Sequence, residues 1–144
     1  MSDLERFVSA QNDGGTYEQA TAELRRGRKT SHWMWFVFPQ LAGLGRSAMA
    51  QRFAIGSLAE AREFLAHPVL GARYRDAVRT VLDHGDRKAE QIFGGIDAMK
   101  FRSSLTLFAR ADPSEMLLAQ AIQAFYDGVP DAATERLLAS IDST

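Results

Sequence analysis

Apolar side chains in this 144-residue chain recur every three or four positions and almost never every second one. That is the period of one face of an α-helix; a half-buried strand needs strict alternation. Helix-start signals are spaced along the whole length. Ser2-x-x-Glu5, Thr16-x-x-Gln19 and Ser57-x-x-Glu60 read as capping boxes, in which side chains satisfy N–H groups that a helix leaves open. Pro68, Asp112-Pro113 and Pro130-Asp131 put proline near helix starts, where its missing N–H costs nothing. Asp86 and Asp97 open further segments, while Gly14-Gly15, Gly27, Gly85, Gly94-Gly95 and Gly128 punctuate them. The one strand-like run, Trp33 to Phe38, would be a strand without a partner, so it is expected as a buried helical turn ended by Pro39. The expectation is all-α: one compact domain over residues 1–144, built from about seven or eight short helices.

Composition narrows the class. Hydrophobic residues make up 46% and charged residues 24%, enough apolar surface to offset the ordering entropy that keeps disordered chains unfolded. With no cysteine there is no disulfide framework, thiol nucleophile or thiolate metal site. The net charge of −1 lacks the positive field that captures nucleic acid, so no nucleic-acid partner is expected. The Ser2-Asp3-Leu4-Glu5-Arg6 start is charged and leads into no long apolar run, and the most apolar stretch is far short of a bilayer span, about 20 residues. A cytoplasmic protein with no membrane partner is expected. No His-x-x-x-His or calcium-loop spacing occurs, so neither a metal nor a cofactor is expected. Sequence leaves the oligomeric state open.

Three constellations could carry chemistry. Ser31-His32-Trp33-Met34-Trp35-Phe36-Val37-Phe38-Pro39-Gln40 holds both tryptophans. It is either a core anchor or a pocket wall, in which Trp33 or Trp35 stacks on a planar ligand and His32 and Gln40 supply polar contacts at the ends. Gly43-Leu44-Gly45-Arg46-Ser47 fits a glycine-rich fingerprint in letters but lacks the strand–turn–helix–strand context. What survives is a turn where Arg46 could meet an anion. On a helix, Ala98, Phe101, Leu105 and Phe108 share an apolar face, with Lys100 and Ser104 on one flank and Ser103 on another. There Lys100 or Arg102 could meet a carboxylate or phosphate while Ser103 or Ser104 donates a hydrogen bond. Arg25-Arg26-Gly27-Arg28-Lys29 reads as a solvated helix C-terminus or as one rim of an anion pocket. His67 and His84 fall at helix ends, where they could cap carbonyls.

Arg28-Lys29, Ser31 through Gly45, Ala66-His67-Pro68, Ile92-Phe93-Gly94 and Lys100-Phe101-Arg102-Ser103-Ser104 together resemble a small bacterial family of unknown function often labelled "calpastatin-like". The resemblance spans nearly the whole chain and implies an all-helical single domain with no established reaction. Tyr17-Glu18-Gln19-Ala20 is also similar to a helix start in a family of NAD/ADP-ribose-associated N-glycosidases, where a Glu acts with a Trp and a late Asp; no Trp-Gly accompanies Asp127-Gly128 here.

Two functions follow. One is a pocket for a small anionic or nucleotide-like ligand, with Trp33 or Trp35 on the ring, Arg28, Lys29, Arg46 or Lys100 on negative groups, and His32, Gln40, Ser103 and Ser104 orienting it. Its catalytic version is an N-glycosidase-type hydrolase using Glu18 or His32 as acid or base. The other is a non-catalytic protein–protein interaction module. A pocket requires at least one of the four cations to face inward without a carboxylate partner. If all point to solvent or are tied to Asp or Glu, the interaction reading gains.

Overall fold

The computed structural model describes residues 3–142. It is all-α. Seven helices of eight residues or more, α1 (Glu5–Asn12), α2 (Thr16–Arg26), α5 (Leu58–Ala66), α6 (Leu70–Leu82), α8 (Gly95–Ala111), α9 (Met116–Tyr126) and α10 (Ala132–Asp142), form the frame. Three short ones, α3 (Met34–Val37), α4 (Ala48–Arg52) and α7 (Ala89–Phe93), sit in the connections. Among the described residues the only β pairing is a single parallel bridge between Leu41 and Ile55. Among the described residues no helix is long and apolar enough to cross a membrane.

Two of the expected helix starts follow their local chemistry. Ser57 caps α5 by accepting from the Glu60 N–H at 3.1 Å. Asp131 caps α10 by accepting from the Thr134 N–H and hydroxyl at 2.9 and 2.7 Å. Other starts differ from expectation. Thr16 is already helical, and its hydroxyl donates to the Asp13 carbonyl inside a 3₁₀ turn over Asp13–Gly15. Asp86 does not cap α7; Gln91 reaches back to accept from the Lys88 N–H. The Ser2 capping box lies outside the described residues. Gly27 ends α2 at φ +78°, and a Cβ there would meet Arg87 Nη1 at 2.4 Å, so only glycine allows both the turn and this approach.

α8 is the central element and packs against α5, α7, α9 and α10. Its Phe101, Leu105 and Phe108 are fully buried. The Trp33–Phe38 run forms α3 and threads through the core rather than along the surface. Phe38 brings its ring centroid within 6.2 Å of Trp33, 5.7 Å of Tyr74, 5.9 Å of Phe93 and 4.8 Å of Phe101. Burial of rings of this size dominates core energetics, with edge-to-face geometry adding to it.

Candidate functional site

The Ser31–Gln40 and Lys100–Ser104 segments meet through these rings and through a charged layer above them. Asp97, in the first turn of α8, is the hinge of that layer. Its carboxylate oxygens take Lys29 Nζ at 2.8 Å and Lys100 Nζ at 3.5 Å. Each lysine also covers an indole: Lys29 lies 5.1 Å from the Trp33 ring centroid and Lys100 lies 5.3 Å from that of Trp35. An ammonium over an indole face is attracted by the ring quadrupole. Lys29 is further fixed by its Nζ donating to the Ser31 carbonyl at 2.5 Å and its backbone N–H donating to the Ile92 carbonyl at 2.7 Å.

Below this layer, Glu23 organises the loop that carries Lys29 and Trp33. Its carboxylate is fully buried. One oxygen accepts from the Thr30 N–H at 2.7 Å, the Ser31 N–H at 2.9 Å and Trp33 Nε1 at 3.0 Å; the other accepts from Gln19 Nε2 at 2.8 Å. Burial on its own drives the Glu23 pKa up, but the Ser31 hydroxyl, the Gln19 amide and the Thr30 and Ser31 N–H groups outweigh it and hold the carboxyl well below the usual carboxylate range.

The candidate residues thus divide. Lys29, Trp33, Trp35 and Lys100 are brought together around Asp97. Trp33 is fully buried and its N–H is used by Glu23, while Trp35 keeps part of its ring exposed. His32 projects into solvent beside them. Gln40 is half-buried and its carbonyl accepts from the Ile55 N–H at 2.9 Å. Ser103 donates to the Met99 carbonyl at 3.1 Å within its own helix, and Ser104 pairs with the buried Tyr74 hydroxyl at 2.9 Å. Arg28 and Arg46 are exposed, as is Glu18 on the first turn of α2. A groove of about 770 Å³ beside α1 includes Arg6, Ser9, Asn12, Phe36 and Met49 and none of the candidates.

Sequence reasoning missed two residues. Glu23 carried a faint signal, a carboxylate one turn before the glycine that ends its helix. Asp97 was read only as a helix opener, although its spacing of three from Lys100 already placed the two on one face. The histidines also split: His84 Nε2 lies 3.1 Å from the Arg25 carbonyl at the end of α2, but His67 works at the opposite pole, its Nδ1 accepting from the Val69 and Leu70 N–H groups at the start of α6.

No curated protein matches this chain. The crystal structure of the conserved hypothetical protein Rv1873 from Mycobacterium tuberculosis does, with 46% sequence identity and a TM-score of 0.91 over 95% of this chain and 96% of that one. A family model described as a protein of unknown function (DUF1810) matches residues 1–138. The chain belongs to this DUF1810 family, which fits the single helical fold and the all-helical resemblance read from its motifs.

Proposed function

We propose that the chain is a non-catalytic interaction module. The observation that carries this reading is the state of the four cations on which an anion pocket depends. Lys29 and Lys100 share the Asp97 carboxylate, and Arg28 and Arg46 lie exposed on the surface. A cation already tied to a carboxylate has little left to offer a phosphate. On the stacking side, Trp33 is buried under Lys29 and bonded to Glu23, and Lys100 lies over the half-buried Trp35. Glu18, exposed with no tryptophan held against it, gives an N-glycosidase-type hydrolase no assembled acid–base pair. The calpastatin-like label adds nothing to this reading, since true calpastatins are largely disordered and this chain has a packed core.

The same region offers apolar surface. Ile96 and Met99, three apart on α8, are 75% and 69% exposed, and Val129, whose carbonyl accepts from Arg102 Nε one turn further on, is 53% exposed. Among the described residues, three of the five exposed large hydrophobic side chains thus lie on α8 or on the loop bonded to it, and exposed apolar surface gathered in one region marks an interaction site. Two measurements test the reading. Thermal-shift screening against NAD, ADP-ribose, ATP and other phosphometabolites is expected to give no saturable rise in Tm. A photo-crosslinking amino acid at Met99 is expected to give a discrete higher-mass adduct in cells, and one at the exposed Ala59 on α5 none. A saturable nucleotide shift abolished by Lys100→Ala, or equal labelling at both positions, overturns it.

A further inference from the structure

We propose that the partner of this module presents an acidic protein segment, and that the segment docks on a basic face formed where the end of α2 meets the turn leading into α7. The inference rests on the interaction reading above and adds the surface and the chemistry of the partner.

Five cations gather there from two stretches of chain distant in sequence: Arg25 and Arg26 in the last turn of α2 with Arg28 just after it, and Arg87 and Lys88 before α7. All five are exposed, and among the described residues none forms an ion pair with a carboxylate. Six of the other twelve lysines and arginines are paired with a carboxylate, among them Arg75 with Glu115, Arg79 with Asp76 and Arg110 with Glu135. Tertiary bonds hold the two stretches together. Arg87 Nη1 donates to the Gly27 carbonyl at 3.1 Å, His84 Nε2 lies 3.1 Å from the Arg25 carbonyl, and the Lys29 N–H donates to Ile92 at 2.7 Å.

A helix C-terminus attracts cations, but its pole amounts to only about half an elementary charge and acts within the last turn. Here the carbonyls at the end of α2 are already met by Gly27, Arg28, Arg87 and His84. The remaining positive charge is surplus to helix capping. Acids stand close by, Asp83 in the groove that also holds Arg25, and Asp86 and Glu90 flanking Arg87 and Lys88 in sequence, but among the described residues none forms an ion pair with the five cations.

The face continues into apolar surface. Lys29 ties it to Asp97 in α8, whose neighbours Ile96 and Met99 are exposed, with Trp35 half-buried beside Lys100. Positive charge at one end and aliphatic side chains at the other fit an acidic peptide that carries an apolar residue. They fit a nucleic acid poorly, because the chain as a whole is net negative.

The test is fluorescence anisotropy of the purified chain with a labelled Asp/Glu-rich peptide containing one leucine, alongside a labelled oligothymidylate and phosphatidylglycerol vesicles. The peptide is expected to bind tightest, and more weakly as salt rises from about 50 to 300 mM. Combining Arg25→Glu, Arg28→Glu and Lys88→Glu is expected to weaken it about 10-fold or more. Arg46→Glu, Arg52→Glu and Arg136→Glu, the same charge change on other exposed sites, is expected to change it less than about 2-fold. The milder pair Arg28→Gln with Lys88→Gln is expected to weaken binding in the same direction, which covers misfolding of the triple variant. Equal loss in both triple variants, tighter binding of the oligonucleotide or the vesicles, or no peptide binding by the wild type overturns the inference. If the Met99 crosslink survives that last result, the interaction reading stands and only the acidic partner falls.

Discussion

Replacing Glu23 tests the energetics of the loop that positions Lys29 and Trp33. Glu23→Ala removes the acceptor for two backbone N–H groups, the Trp33 indole N–H and the Gln19 amide. A buried donor left unpaired costs about 1–3 kcal/mol. Thr30 is exposed and Ser31 half-buried, so their N–H groups can recover water, whereas Trp33 cannot. Relief of the buried charge offsets part of the loss. The expected destabilisation is about 3–5 kcal/mol. Glu23→Gln keeps one carbonyl oxygen for the loop and loses the charge, for a cost of about 2 kcal/mol at pH 7. Urea unfolding followed by tryptophan fluorescence measures both.

The pH dependence gives a second handle on the same group. The Glu23 pKa is depressed in the folded protein from an ordinary value near 4.5. Its contribution is therefore fully present above about pH 4.5 and is lost as the pH falls toward the depressed value, by up to about 1.4 kcal/mol per pH unit. The stability gap between wild type and Glu23→Gln should accordingly close between about pH 4.5 and pH 3. A gap that is constant across this range, or a Glu23→Ala cost below about 1 kcal/mol, would refute the reasoning.

Two other sites give sharp expectations. Ser104→Ala leaves the fully buried Tyr74 hydroxyl without its partner and should cost about 1–3 kcal/mol in urea unfolding, while the double variant with Tyr74→Phe should recover part of that loss; additive losses would show that the pair is not coupled. Gly71→Ala sets a Cβ 2.0 Å from the Leu65 carbonyl oxygen of α5 and should lower stability by about 1–3 kcal/mol or more, seen as a reduced Tm; a neutral result would mean that the two helices separate freely.

Much of the frame was legible because it is set by local chemistry. The Ser57 cap, the Asp131 start, the Gly27 stop and the helical spacing of Leu70, Tyr74, Val78, Val81 and Leu82 each depend on neighbours within a turn or two. The aromatic run was legible as a core anchor for a related reason: rings that large have nowhere else to go. The charged layer was not legible. Lys29 and Asp97 are 68 positions apart, and only the docking of the α2 loop on α7 brings them into contact. The same docking gathers Arg28 and Lys88. Glu23 was hidden for another reason: carboxylates are almost never fully buried, and its place one turn before Gly27 does not tell a buried carboxylate from a solvated one. His67 shows the limit of positional rules: both histidines sit at helix boundaries, yet which pole each serves depends on the path of the chain beyond it.

The placement of α3 bears on how this protein can come apart. Four residues cannot hold a helix alone, since nucleation is unfavourable and so short a segment closes too few hydrogen bonds to recover it. Yet this segment leads into Phe38, where rings from α6, α7 and α8 converge. The least self-sufficient stretch of chain is thus the keystone of the arch. Cutting the gene on either side of it separates rings that need one another, so neither half retains a centre. Proteolytic fragments, split reporters and circular permutants opened near residues 33–38 should therefore fail together.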